Sequence, residues 1–458
     1  MREKMKNLLP KPLLRLADAC NAPLYVVGGA VRDVLANVIP NGERDWDICS
    51  PLPFEQFLSA ANNCGFIIKS IFKNTGTVKL LDEEHHEYEY CSFRSDKYVR
   101  GIHVPVEIYF TDDIGLDARR RDFTANAVYF DVKNVKFVDP LDGITAIKEK
   151  RLTTVAPAHK VFSEDGLRLM RLARQAGCLG FTPDAECLAG ATANANLIDD
   201  ITPERIFTEL KQILSADKKY GVTDGHYRGL KLLEETGVLK RILPELALGK
   251  GMAQRADFHK YDVLEHSLKA VLYAEEEVRL AALLHDVGKP FCTLRDGNSY
   301  AHPQEGARIA TEILTRLKAP KKIIQRVHAL VEWHMYDLDC KTSENKLRRF
   351  FVTNLPILDD LLSVKQADFS ACMDDLAPAP TCLRWQAVLQ KMQTEHVPLQ
   401  TKDLAVSGKE LLNAEIPAQY IASVLNGLLL HTAVNPTDNQ RERLLKIAQG
   451  IVKNLAER

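Results

Sequence analysis

No apolar run in this chain of 458 residues approaches the ~18 needed to cross a bilayer, so no membrane partner is expected. The N-terminus, MREKMKNLLPKPLLRLADAC, carries early positive charge. Pro10 and Pro12 interrupt its apolar stretch, and no small-residue cleavage site follows. A short amphipathic helix is expected there, and no signal peptide. The ten cysteines form no C-x-x-C pair, which removes zinc-finger spacing and fits reduced thiols in a cytoplasm. Charge of one sign is also missing: Lys plus Arg is 60, Asp plus Glu is 61, and the net charge is −1. A protein that coats nucleic acid indiscriminately is strongly basic, so a nucleic-acid partner here would need a local basic surface. There is no internal repeat and no low-complexity tract. With 46% hydrophobic residues the chain is not disordered, and its length suggests about three domains at ~150 residues each.

What is present divides near residue 155. Before it lie short apolar or alternating runs bounded by Asn, Asp and Gly: PLYVVGGAV, RDWDIC, FIIKSIF, GTVKLL, YEYCSF, VPVEIYF and AVYFDVKNVKFVDP. These read as strands, with helices after Gly29 and from about Phe54. After residue 160 the period becomes helical. EDGLRLMRLARQ sets Leu167, Met170 and Leu172 against Arg168, Arg171 and Arg174. In DDITPERIFTELKQIL, Thr202 is placed to cap a helix with Pro203 at its first position and Glu204 in its first turn. LGKGMAQRADFH reads as a linker, and DDLAPAPT closes a further helical unit. The expected fold is α+β: an α/β head over 1–157, a helical neck and body over 158–247, a helical domain over 256–374 and a helical tail over 375–458.

In the head, strand alternation points Asp45 and Asp47 to one side and Trp46 to the other. Two parallel carboxylates repel unless a cation lies between them, and oxygen-only ligands suit Mg²⁺. A paired-metal site of this kind activates an attacking hydroxyl and stabilises a leaving oxygen. Gly28 and Gly29 lack a β-carbon, so their amides can approach a phosphate at a helix start. Taken alone, the same residues also suit a turn with surface aspartates.

The ordered series VVGGAVRD, RDWDI, NTGTVKL, YEYCSFR, RRRDFTANAV, EDGLRLMR and PERIFTEL, over roughly residues 20–240, resembles the class II tRNA nucleotidyltransferases. These are the CCA-adding enzymes and their poly(A) polymerase relatives, built on a polymerase-beta-like head. The resemblance implies that Asp45, Asp47 and Glu89 hold catalytic Mg²⁺. It implies that Gly28, Gly29 and Arg32 hold the triphosphate, with Asp33 orienting Arg32. Arg121, Asp122 and Asn126 would contact sugar and phosphates, with Arg120 offsetting charge. Glu164, Asp165, Arg168 and Arg171 would form a protein template for the incoming base.

The chemistry of that template follows from the bases. Cytosine and adenine each present an amino donor beside a ring-nitrogen acceptor, where guanine and uracil present an oxygen. A carboxylate only accepts and a guanidinium only donates. Asp165 and Arg168, three apart on a helix, would therefore match C and A and leave G and U mismatched. Glu164 and Arg171 would position them. One departure stands out. In DPLDGITAIKEK, Asp139, Pro140 and Gly143 match the family's hinge segment, but Ala146 stands where an acidic residue is usual. This bears on any switch from C to A.

A second ordered series, YDVLEHSL, LAALLHDVGKP, YAHPQEGA, VEWHMYDL and VKQADFSA, resembles the HD phosphohydrolases. By that resemblance His266, His285, Asp286 and Asp368 ligate a divalent metal, and His302 and His334 match the extra ligands of two-metal members. Imidazole with carboxylate suits a transition metal such as Mn²⁺ or Ni²⁺, which would activate water against a phosphoester. Lys289 would meet a substrate phosphate.

The leading expectation is a cytoplasmic enzyme that adds CCA to the 3′ end of tRNA from CTP and ATP, with HD phosphohydrolase activity beside it. The alternatives are an enzyme adding only A or only CC, a poly(A) polymerase, or an HD phosphohydrolase whose head binds RNA.

Overall fold

The computed structural model describes residues 1–42, 44–99 and 102–456. The chain forms two compact units, Met1–Ala247 with Arg316–Ala319, and Leu248–Thr315 with Pro320–Arg458. The N-terminal segment forms two helices instead of the single one expected, Arg2–Leu8 and Lys11–Ala19. Pro10 takes an extended conformation between them, while Pro12 sits in the first turn of the second, where its missing N–H costs nothing.

The first unit is built on a seven-stranded sheet. In chain order its strands are β1 (Tyr25–Val27), β2 (Trp46–Ser50), β3 (Ile67–Phe72), β4 (Thr77–Leu81) and β5 (Glu87–Ser92). A separate ribbon follows, β6 (Arg94–Val99) with β7 (Ile102–Phe110), before β8 (Tyr129–Asp131) and β9 (Lys136–Val138) rejoin the sheet. The sheet order is β3-β4-β5-β2-β1-β8-β9. Only β2 and β5 run parallel; the other neighbours are antiparallel. One face buries Val27, Cys49, Phe93 and Tyr129 in a common cluster. Tyr25 stacks on Phe93 with ring centroids 5.6 Å apart. Asp47 and Glu89 stand on this same face, in register with Val27, while the other face buries Val26, Trp46, Ile48, Tyr88 and Tyr90.

Helices complete the unit, among them Gly29–Ala36 after β1, Ala158–Glu164, Leu167–Leu179 and Pro203–Leu214. Thr202 stands at the N-cap of the last with Pro203 at its first position, but its hydroxyl makes no capping bond. The second unit is helical throughout its described residues. Its helices include Val263–Tyr273, Arg279–Leu284, Lys321–Trp333 and Leu358–Met373. The α+β class read from the alternation of the first third and the helical period of the rest is the one observed.

Candidate active site and metal centre

The register of the sheet assembles the head site. Val27 lies opposite Asp47 across β1 and β2, and Asp47 lies beside Glu89 across β2 and β5. Trp46, between the two aspartates, is buried on the far side. Gly28 ends β1 at φ +76°, a conformation costly for other residues, and a β-carbon there would stand 2.8 Å from Asp47 Oδ2. The turn is therefore glycine for two reasons, backbone and space. Asp47 and Glu89 face a cleft of about 510 Å³. Asp45 precedes β2, is well exposed, and lines an adjoining recess together with Asp47. Its Oδ2 lies 3.4 Å from Lys219 Nζ. The three carboxylates thus share one region, although among the described residues they do not close to a cluster within 4.8 Å. Burial, opposed by Arg121 and reinforced by Glu89 and Asp45, pushes the Asp47 carboxyl up to about 6. A divalent cation relieves that crowding of like charges, so these residues fit Mg²⁺.

The cleft is otherwise basic. Arg32, Arg94, Arg120, Arg121, Arg168, Arg171, Arg174, Arg205 and Lys219 line it, against Asp47, Glu89, Asp122 and Asp165. A buried chain of hydrogen bonds runs along its wall. Arg32 donates to Asp33 Oδ1 at 2.8 Å and to Asn126 Oδ1 at 2.7 Å. Asn126 Nδ2 donates to Asp122 Oδ1 at 3.1 Å, and Arg171 donates to Asp122 Oδ2 at 2.8 and 2.5 Å. Burial alone would raise the Asp122 carboxyl; Arg171 and Asn126 hold it well below its usual range. Asp33 thus pairs with Arg32 at the start of this chain. The chain continues beyond expectation, joining the residues assigned to the triphosphate to those assigned to the sugar and the base.

The template segment differs from its sequence reading. Asp165 and Arg168 do not sit three apart on one helix. The helix ends at Glu164, Asp165 is extended at φ −146°, and a new helix begins at Leu167. Asp165 Oδ1 accepts from the Leu167 amide at 3.0 Å, and Oδ2 pairs with Arg205 at 3.1 Å. Arg168 is buried and donates to Glu164 Oε2 at 2.7 Å, to the Val161 carbonyl and to the Arg120 carbonyl. Both residues still line the cleft. The junction admits only glycine at 166, because a β-carbon there would meet the Leu197 carbonyl oxygen at 2.4 Å.

Several site residues escaped the sequence reading. Asp117 binds Arg120 and Arg121 from beneath, and its signal was present as i, i+3 and i, i+4 spacing in GLDARRRD. Lys219 and Tyr220 lie in ordinary helical text with nothing local to mark them, and Arg205, though within PERIFTEL, has no local signal for its pairing with Asp165. The Tyr220 hydroxyl donates to Asp33 Oδ2 at 2.9 Å and accepts from Arg32 Nη2 at 2.8 Å.

In the second unit all six expected ligands converge. His266 Nε2 lies 3.1 Å from His285 Nε2 and 3.0 Å from Asp368 Oδ1. His302 Nε2 lies 3.2 Å from His334 Nε2. Asp286 stands between these groups. Its Oδ2 faces His285 at 3.2 Å and His266 at 3.4 Å, and its Oδ1 faces His302 at 3.2 Å. His285, His302 and His334 each turn Nδ1 to a backbone carbonyl, those of Ala282, Ser299 and Val331. A donor at Nδ1 leaves the Nε2 lone pair free for a metal. Asp286 Oδ2, deeply buried, makes no hydrogen bond of good geometry, although Lys289 Nζ approaches it at 2.6 Å. Burial and the neighbouring His302 and His285 push His334 down to about 3. Two clusters, His266–His285–Asp368 and Asp286–His302–His334, each gather ligand atoms within 4.8 Å, and the donor set fits two transition-metal ions. Lys289 also donates to Gln254 at 2.8 Å.

Comparison with known proteins agrees with this geometry. Residues 24–153 match the Poly A polymerase head domain, 180–248 the probable RNA and SrmB-binding site of polymerase A, and 259–368 the HD domain. An A-adding tRNA nucleotidyltransferase of Deinococcus radiodurans is 31% identical over 455 residues, 94% of this chain and 95% of that protein. A CCA-adding enzyme of Lactococcus lactis is 34% identical over 263 residues, 54% of this chain and 60% of that protein. The fold is that of the CCA-adding enzyme of Bacillus stearothermophilus solved with CTP, with a TM-score of 0.65 at 21% identity, covering 98% of this chain and 100% of that one. No helix of the described residues is long and apolar enough to cross a membrane. The chain belongs to the tRNA nucleotidyltransferases, the family of the A-adding and CCA-adding enzymes, and is an enzyme of that class.

Proposed function

We propose that this enzyme completes the CCA end of tRNA from CTP and ATP, with the head (1–157) and the neck and body (158–247) acting together. The observation that carries this reading is the unbroken chain from Asp33 through Arg32, Asn126 and Asp122 to Arg171. It fixes phosphate, sugar and base positions relative to Asp47 and Glu89. The Gly28 and Gly29 amides, Arg32 and Arg121 take the triphosphate. Asp165 accepts from the amino group of C or A, and Arg168 donates to the ring nitrogen. Arg168 and Asp165 exchange Glu164 and Arg205 for the base in doing so. The primer 3′-hydroxyl attacks the α-phosphorus and pyrophosphate departs. Asp45, Asp47 and Glu89 would hold Mg²⁺, which would supply activation of that hydroxyl and countercharge for the leaving oxygen.

Addition of A alone is the second reading. It is favoured by the near full-length similarity to an A-adding enzyme. It is also favoured by Ala146, which is buried in the hinge helix Gly143–Lys148 and brings no carboxylate there. Incubation with tRNAs ending before CCA, at C and at CC, with labelled CTP and ATP singly and together, separates the two. Complete addition requires CTP incorporation on the shortest primer; ATP incorporation on the CC primer alone supports the second reading. Incorporation of GTP or UTP at comparable rates overturns the template.

The second unit acts as a phosphohydrolase (256–374, with the tail 375–458) using Mn²⁺, Ni²⁺ or a similar ion. All ten cysteines are free thiols, in keeping with a cytoplasmic enzyme.

A further inference from the structure

The turn that ends the short helix Ala216–Tyr220 is fastened to the catalytic strand's approach. Asn41 donates its backbone amide to the Lys219 carbonyl at 2.8 Å and its side chain to the Lys218 carbonyl at 2.5 Å. Tyr220 is tied to Arg32 and Asp33 on the other side. Between these anchors the Lys219 ammonium lies 5.9 Å from the Tyr220 ring centroid. It faces Asp45 Oδ2 at 3.4 Å, with its side chain 45% and that of Asp45 84% exposed. An ion pair so exposed is weak. The same ammonium lines both the large cleft, with Gly28, Gly29 and Arg32, and the recess that holds Asp45 and Asp47.

We propose that Lys219 is a two-position cation of the nucleotide site: it neutralises Asp45 until a divalent cation takes that carboxylate, then turns to an oxygen of the incoming triphosphate. This rests on the nucleotidyl-transfer reading of the cleft. Lys219 is a flexible point charge on an anchored backbone, so the exchange needs a side-chain rotation and no movement of the turn. The exchange hands Asp45 to the metal and adds one cation to the triphosphate as the two arrive together. It also makes a free divalent cation compete with the ammonium for Asp45.

The test is equilibrium binding to the full chain, with Lys219→Met, Lys219→Arg and Lys218→Met beside the wild type. Titration with Mn²⁺ in an Asp286→Asn background, which removes the ion sites of the second unit, followed by electron paramagnetic resonance, is expected to show K219M binding roughly 2- to 5-fold tighter than the Lys219 chain. Calorimetry with MgATP and MgCTP is expected to show K219M binding roughly 10- to 100-fold weaker, the size of one lost charge-assisted hydrogen bond. K219R restores nucleotide binding to within ~3-fold. K218M, which removes a neighbouring charge paired with Asp217, leaves both affinities within ~2-fold. Unchanged Mn²⁺ affinity in K219M, unchanged nucleotide affinity, or equal shifts in K218M overturns the proposal. A wild type that binds nucleotide yet extends no tRNA defeats the functional reading alone, because neither readout is turnover.

Discussion

Asp117 shows how one buried carboxylate sets the charge of the cleft. It accepts from Arg120 Nε at 2.7 Å, Arg121 Nη2 at 3.1 Å and the Tyr129 hydroxyl at 2.7 Å, and is itself fully buried. Burial would raise its pKa; Arg121, Arg120 and the Tyr129 hydroxyl outweigh it and hold the group at about 2. The folded value lies below the unfolded one, so the stabilisation is present above pH ~4 and is lost as pH falls through 2. Asp117→Asn is therefore expected to cost ~2 kcal/mol at pH 7 and progressively less below pH 4. Urea unfolding of both proteins at pH 7 and pH 3 checks this, and a gap that persists undiminished at pH 3 refutes it. At this scale the sequence was readable where chemistry repeats locally. Gly28, Asp47 and the HD ligands announce themselves by residue type and order. Tyr220 does not, because its partners Arg32 and Asp33 are far away in the chain and only the tertiary fold brings them within hydrogen-bond reach.

Among the elements, β2 with β5 and the broken template helix decide the site. The alternation in RDWDIC and YEYCSF was enough to place Asp47 and Glu89 on strands, since period two survives in any register. The pairing of β2 with β5, which sets the two carboxylates side by side, lies in long-range hydrogen bonding and has no local signature. EDGLRLMR was misread as continuous helix because a single glycine inside a helical period is tolerated. The contact that requires glycine at the junction, Gly166 against the Leu197 carbonyl, comes from another part of the chain. Gly166→Ala is expected to lose ~1–3 kcal/mol through overpacking and several degrees of melting temperature. It should also narrow the discrimination of ATP over GTP, because Asp165 can no longer hold the extended conformation that aims it into the cleft. A thermal melt and single-nucleotide incorporation assays measure the two effects. A variant that melts lower yet discriminates as before removes the break from the template.

Across the whole molecule, each unit gathers its own cluster of titratable side chains, and the two clusters differ in how tightly they are pre-assembled. The three head carboxylates do not close into one cluster at their basic cleft, as suits the proposed arrival of metal and triphosphate together. The histidines and aspartates of the second unit are packed against each other in the interior, and His285, His302 and His334 turn Nδ1 to backbone carbonyls, as suits the ions proposed there. Asp286 is the joint of that centre, since its two oxygens serve different clusters. Asp286→Asn, which keeps the shape but weakens both oxygens as ligands, is expected to strip both ions. His302→Ala touches one cluster and is expected to remove one. Metal analysis of the full chain after reconstitution with Mn²⁺ should then read about two ions per wild-type chain, about one for H302A and close to none for D286N. Nucleotide addition by D286N should stay within ~2-fold of wild type, because no residue of the head cleft is altered. Retention of two ions by D286N would show that its oxygens do not bridge the clusters. A parallel loss of nucleotide addition would show that the centres are not independent.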